Sequence, residues 1–238
     1  MHPSTDIAAV LTILPWALLY VIFRGVGLEA AVAQKLVCVL NAIGCGCVGI
    51  YGLLFQEGLR ADVIDGHWPF LHDVIAPLSF GYFVFDTLMM VFRPDQKGLE
   101  DGPASIVHHV VMIVTIGTYY RVNRGDFIVV SFAAWELSTP FVHARWYLAH
   151  RGMRASRLYV WNGVALTLAF FLARICNLPL VMYLFAQQRQ LPMWQAICSI
   201  PLVCRMVTAS IFLLNLYWFS KILQGAAKVM FASPKTKF

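Results

Sequence analysis

Leu36-Val37-Cys38-Val39-Leu40-Asn41-Ala42-Ile43-Gly44-Cys45-Gly46-Cys47-Val48-Gly49-Ile50-Tyr51-Gly52-Leu53-Leu54-Phe55 is a stretch of twenty residues without one formal charge. Wound as an α-helix at about 1.5 Å per residue it is about 30 Å long, which is the thickness of a bilayer's hydrocarbon core. It offers a single amide, Asn41, and no polar face that water could cover. The stretch reads as a membrane span.

Six more runs of similar character surround it: Ile7–Phe23, Val74–Phe92, Ala104–Tyr120, Phe127–Leu148, Leu158–Ala186 and Met193–Leu223. The last two exceed what a span needs, which implies tilt or extension past the membrane surface. Composition agrees. The 238 residues are 60% hydrophobic and 13% charged, with mean hydropathy +0.70. Soluble domains carry about 25% charged residues. The expected fold is all-α, a polytopic membrane bundle of about seven transmembrane helices.

The connections are chemically sensible. Arg24–Gly27 closes the first run, and Gln56–Asp73 is the longest loop. Arg93-Pro94-Asp95 stops the third run, and Gly102-Pro103 opens the fourth. Arg121–Asp126 is a short turn, so the fourth and fifth spans should be antiparallel neighbours. The N-terminal run lacks a basic leader and a small-x-small cleavage site, so it reads as a span and not as a signal peptide. All six cysteines fall inside apolar runs and read as packing residues.

Net charge is +6, but no basic stripe with interleaved aromatics forms a nucleic-acid surface. Lysine and arginine instead sort by side. Arg60, Arg121, Arg124 and Arg189 fall on one side of the membrane. Arg24, Lys35, Arg93, Lys97, Arg151, Arg154, Arg157, Lys228, Lys235 and Lys237 fall on the other. The positive-inside rule puts the second set in the cytosol. The expected topology has a lumenal or external N-terminus and a cytosolic C-terminus.

Ionisable groups inside spans cost about 2.5–3.5 kcal/mol each on insertion scales and should face the bundle interior. Asp86 lies in the third run, His108 and His109 in the fourth, Glu136 and His143 in the fifth, Arg174 in the sixth and Arg205 in the seventh. By residue count Asp86, the His pair and His143 share the cytosolic third, while Glu136, Arg174 and Arg205 lie nearer the midplane. Pro140 and Pro179 should kink their spans. Two readings fit this set. An imidazole oriented by a carboxylate can act as base or nucleophile. Alternatively Glu136 with Arg174 or Arg205 forms an ion pair that only fixes packing. Metal binding is not expected, because repeated His-x-x-His elements are lacking.

Three elements carry a resemblance. They are Ser79-Phe80-Gly81-Tyr82-Phe83-Val84-Phe85-Asp86, Val107-His108-His109-Val110-Val111, and Trp135-Glu136-Leu137-Ser138-Thr139-Pro140-Phe141-Val142 with Arg145-Trp146. Together they resemble the TLC-domain family, which includes the ceramide synthases and the translocating-chain-associated membrane proteins. The resemblance covers about residues 35–225, after a first helix and linker at 1–34 and before a basic tail at 226–238. It is greatest to the small TLC-domain proteins outside the ceramide synthases.

The resemblance implies six helices in a barrel-like bundle around a lipid-sized cavity. In the ceramide synthases paired histidines serve acyl transfer from acyl-CoA to a sphingoid amine, and His108 and His109 match that pair. The acidic His-Asp-x-x-Asp element of those enzymes is absent here, which points to another acceptor or to no catalysis. The implied catalytic group is His108, His109 and Asp86. The implied cavity or lipid-binding group is Tyr82, Glu136, His143, Arg174 and Arg205. Acyl-CoA is the implied co-substrate, with no bound cofactor, membrane lipids as partners, and the endoplasmic reticulum as the implied location. The alternative is a non-catalytic lipid-binding regulator of membrane composition. A seven-span receptor lacks its usual span-end motifs here, and a transporter lacks an inverted repeat.

Overall fold

The computed structural model describes residues 11–92, 103–122 and 124–230. Its regular elements are all helical. We number the long ones α1 (Leu14–Gly25), α2 (Ala30–Phe55), α3 (Leu71–Phe92), α4 (Pro103–Val122), α5 (Asp126–His150), α6 (Arg157–Arg189), α7 (Met193–Ser199) and α8 (Leu202–Met230). Helices α2, α3, α5, α6 and α8 are long and apolar enough to cross a membrane. The two other expected spans are helical as well. Of these, α1 has 12 residues and α4 has 20, its apolarity lowered by His108, His109, Thr115, Thr118, Tyr119 and Tyr120. Five helices thus have the length and apolarity of a span, and a count of seven is compatible with the structure. The start of the first run, the Arg93–Gly102 connection and the tail beyond Met230 lie outside the described residues.

The packing is inverted relative to a soluble protein. Helix α2 buries Gln34, Cys38, Asn41, Cys45, Gly49 and Gly52, a stripe of small and polar residues at helical spacing. Its outward face carries Leu36, Leu40, Ile43, Ile50 and Leu54. Helix α4 repeats the pattern, with His108, His109, Met112, Ile116 and Tyr119 inside and Val107, Val110 and Val114 outside. In lipid an outward leucine is already in an apolar solvent. Helix contacts therefore go to small residues that allow close approach and to polar groups that need partners.

Prolines set the local departures from α-geometry. Pro140 has no N–H for the Glu136 carbonyl four residues earlier. The Thr139 N–H bonds that carbonyl instead, and Glu136–Ser138 becomes a 3₁₀ turn. Turns of π type occupy Leu71–Ile75, just before Pro77, and Phe171–Cys176, just before Pro179. The kinks expected at Pro140 and Pro179 thus take the form of a tightened and a widened turn. The run expected as one span from Met193 to Leu223 is broken: Pro201 forces Ile200 into extended backbone, φ −71° and ψ 137°.

The chain divides into two compact units, Met1–Ala134 and Trp135–Phe238. In the first, α1 packs on α2 and α3, α2 on α3, and α3 on α4. The segment between α2 and α3 is clamped. Asp126, fully buried in the first turn of α5, accepts from the Trp68 N–H at 2.7 Å and the Tyr119 hydroxyl at 2.9 Å. His67 Nδ1 stands 3.1 Å from it. Arg124 hydrogen-bonds Asp65, which holds its guanidinium above the ordinary range. In the second unit, α6 packs on the later part of α5, on α7 and on α8.

Lys35 requires a correction. The orientation count treats it as a loop charge, but α2 begins at Ala30, and Lys35 is only 5% exposed within it. Without it the count stands at nine against four, with the same direction.

Gly49 marks a close helix approach in the first unit. A Cβ there would run into the backbone of Ala133 and Ala134, whereas one at Gly44 would meet nothing within 4 Å. Gly49→Ala should cost about 1–3 kcal/mol by overpacking, read as a lowered thermal midpoint of the detergent-purified protein. Gly44→Ala should leave the midpoint unchanged or slightly raised. Equal behaviour of the two variants would contradict the close approach.

Candidate functional site

In the first unit a polar cluster is assembled from three helices. Tyr82 and Asp86 are four residues apart on α3 and so share a face. Helix α4 supplies the adjacent histidines, and α2 supplies Gln34 and Cys38. Asp86 is 5% exposed and each histidine 8%. Its Oδ1 accepts from Gln34 Nε2 at 2.9 Å and from the Cys38 thiol at 3.4 Å. Its Oδ2 stands 3.7 Å from His109 Nδ1, within ion-pair reach and longer than a hydrogen bond.

Aromatic rings fix the imidazoles. The Phe83 ring meets His109 edge-on at 5.2 Å and lies 6.1 Å from His108. The two imidazoles are 5.7 Å apart. Tyr82, also buried, stands 6.3 Å from His109. Adjacent helical residues point about 100° apart, yet both histidines are buried, because Phe83 lies against each. The carboxylate separates them: His109 Nδ1 is the imidazole nitrogen within ion-pair reach of Asp86. A carboxylate–imidazole pair in such surroundings can hold one ring nitrogen and leave the other for chemistry.

In the second unit the polar node is Arg174, 6% exposed and set in the π turn of α6. Its Nε donates to Ser138 Oγ at 2.8 Å and to the Trp135 carbonyl at 3.1 Å. Its Nη2 donates to Thr139 Oγ1 at 3.0 Å and lies 3.5 Å from Glu136 Oε1. Its Nη1 reaches Asn215 Oδ1 on α8 at 3.4 Å. Thr139 in turn donates to Glu136 Oε2 at 2.8 Å. The Trp135 carbonyl is available because Thr139 N–H has been diverted to Glu136. The arginine therefore serves backbone left open by Pro140, and Glu136 neutralises the arginine.

His143 lies seven residues beyond Glu136 on α5 and is half-buried. Arg205 stands in the first turn of α8, ten residues before Asn215, about 15 Å along the axis. It is distant from the Arg174 node. Among the described residues no group of three or more His, Cys, Asp or Glu could hold a metal ion.

Sequence reading missed Gln34 and Cys38 as partners of Asp86. The signal was present: 34, 38, 41, 45, 49 and 52 repeat at intervals of four and three, and none is a large aliphatic. Placing the span start at Leu36 hid its first member.

A family model described as TLC domain matches residues 31–224. The TLC domain-containing protein 4 of Xenopus tropicalis is 32% identical over 205 residues, which is 82% of this chain and 74% of that protein. Its human counterpart by name is 27% identical over 206 residues, 83% of this chain and 74% of that protein. Topoisomerase I damage affected protein 4 of Saccharomyces cerevisiae is 29% identical over 173 residues, 69% and 59% respectively. No solved structure matches the chain.

Arg174→Met should destabilise the protein by about 3–5 kcal/mol, because Glu136 is left as an uncompensated buried charge. Adding Glu136→Gln should recover part of that loss. Thermal unfolding of the single and double variants in detergent checks it, and a double variant no more stable than Arg174→Met would rule out the pairing.

Proposed function

This chain belongs to the TLC domain family, and from that premise we propose that it is a lipid-handling enzyme of membrane lipid homeostasis, transferring an acyl group from acyl-CoA to a lipid acceptor at the Asp86–His109–His108 cluster. Membership already makes it a membrane-associated, lipid-related protein, and the apolar helices make it an integral one. The observation that carries the finer reading is the buried carboxylate–imidazole pair, His109 Nδ1 to Asp86 Oδ2 at 3.7 Å.

In this mechanism Asp86 orients His109 through Nδ1 and stabilises the imidazolium. With the proton on Nδ1, the lone pair belongs to Nε2. It either removes the acceptor's proton as the acceptor attacks the thioester carbonyl, or attacks that carbonyl itself and carries the acyl group. In both routes CoA leaves as thiolate and takes up the proton. Gln34 and Cys38 hold the other Asp86 oxygen, so the carboxylate is fixed before substrate arrives. Tyr82 and Phe83 wall the imidazoles with apolar surface suited to an acyl chain. Glu136, Arg174, His143 and Arg205 remain proposed lipid contacts. For Glu136 and Arg174 the hydrogen bonds favour a packing role. The proposed address is the endoplasmic reticulum, with the N-terminus lumenal, the C-terminus cytosolic and the His pair within reach of cytosolic acyl-CoA.

Two experiments test this. Purified protein incubated with labelled long-chain acyl-CoA should place label in an extracted lipid or on an imidazole. His109→Ala should lower transfer about 10²–10⁴-fold, the range for loss of a general base, and Asp86→Asn should lower it less. Exchangeable lipid without any transfer, across a panel of acceptors, would favour the non-catalytic regulator. Separately, an epitope on the C-terminal tail should be digested in sealed microsomes; protection of the tag would reverse the proposed topology.

A further inference from the structure

The second unit is electrostatically one-sided. From Trp135 to Phe238 there are eleven lysines and arginines and a single acidic side chain, Glu136, a balance of +10 against −4 for residues 1–134. Arg174 already engages that one carboxylate. The other arginines and lysines of this unit have no internal acidic side chain left to meet.

Arg145 stands out among them. It lies on α5 five residues before the helix ends at His150, about 7–8 Å in from that end. Its guanidinium carbon sits 4.1 Å from the centre of the Tyr159 ring on α6. Its Nη1 lies 2.7 Å from where a Cβ of Gly163 would be, and its Nη2 lies 3.7 Å from the corresponding point at Gly225 on α8. The planar cation therefore lies on a tyrosine ring of α6 and against two positions, one on α6 and one on α8, where glycine leaves room for it. Among the described residues it has no carboxylate and no hydrogen-bond acceptor. An arginine held by its face, with its N–H fork left open, is arranged for bidentate recognition of an oxyanion.

The surroundings name the class of ligand. Arg151, Arg154 and Arg157 are exposed in and beside the α5–α6 connection, and Lys221 and Lys228 are exposed on α8 one turn to either side of Gly225. Beside this positive end lie exposed Leu158, Trp161 and Val160 on α6 and Leu223 on α8. Clustered positive charge bordering exposed apolar surface suits an amphiphile with an anionic head. We propose that Arg145, seated on Tyr159 between Gly163 and Gly225, binds the phosphate of an anionic phospholipid whose acyl chains lie along the adjoining α6 and α8 surface. The site lies outside the Asp86–His cluster and does not rest on acyl transfer.

The test uses full-length protein in an uncharged detergent, with binding of phosphatidic acid, phosphatidylcholine and inorganic phosphate measured by native mass spectrometry and by competition. Phosphatidic acid should bind at least tenfold more tightly than phosphatidylcholine. Arg145→Gln should erase that preference, Gly163→Ala should weaken it by displacing the guanidinium, and Arg189→Gln, at the opposite end of α6, should leave it intact. Retention of the preference by Arg145→Gln would overturn the assignment. Competition by inorganic phosphate as effective as that by the lipid would replace the lipid with a free anion and also overturn it. Should Arg145→Gln not fold, a photoreactive phosphatidic acid on the unaltered protein decides: label on the peptide that carries Tyr159 supports the site, and label confined to other peptides refutes it.

Discussion

A carbonyl that loses its helical donor in water is repaired by water. In a bilayer the protein must supply the donor itself. Pro140 creates that demand. Its absent N–H turns Thr139 back onto Glu136, and the Trp135 carbonyl is left open. Arg174, thirty-four residues beyond Pro140, fills it, with help from Ser138. The arginine then needs a counter-charge, and Glu136 in the same distorted turn provides it. One imino acid thereby accounts for a 3₁₀ turn, a buried ion pair and a hydrogen-bond link between α6 and α8 through Asn215. An unsatisfied buried group costs about 1–3 kcal/mol, and more when charged, so no member of the set is independent of the others.

The same rule organises the first unit, where Asp86 draws a glutamine, a thiol and an imidazole from two other helices. The two nodes differ in what they leave over. Around Arg174 the donors and acceptors serve backbone and one another. Around Asp86 an imidazole is brought to a carboxylate and walled with aromatic rings, and an orienting carboxylate is what base or nucleophilic chemistry requires. That contrast is the reason for assigning chemistry to the histidines and architecture to the arginine. The charge division of the chain follows a related logic. The first unit carries nearly all the acidic residues, several of them in the clamped segment before α3, while the second is left to meet anions from outside.

Much of this was legible in the residue string. Hydropathy and run length place the helices, because the membrane imposes one condition on every span and each span meets it alone. The Glu-Leu-Ser-Thr-Pro-Phe and His-His elements carry the family, because motifs are local. Whether Glu136 serves an ion pair or a lipid cavity was left open by the sequence. It depends on a turn geometry that proline allows but does not by itself specify.

The sequence alone therefore determined that the chain is helical, that it lies in a membrane, and that Asp86, His108, His109, Glu136 and Arg174 face inward, since lipid rejects them wherever else they might point. Only the tertiary structure decided the partners: His109 and not His108 on Asp86, Cys38 as a ligand of that carboxylate, Lys35 buried in α2, Arg205 remote from Arg174, and Arg145 bedded on Tyr159 beside two glycines. The physical reason is range. Transfer into lipid acts on each residue separately and can be read one position at a time. A hydrogen bond acts over about 3 Å between residues that stand dozens of positions apart in the chain, so it exists only once the helices have packed.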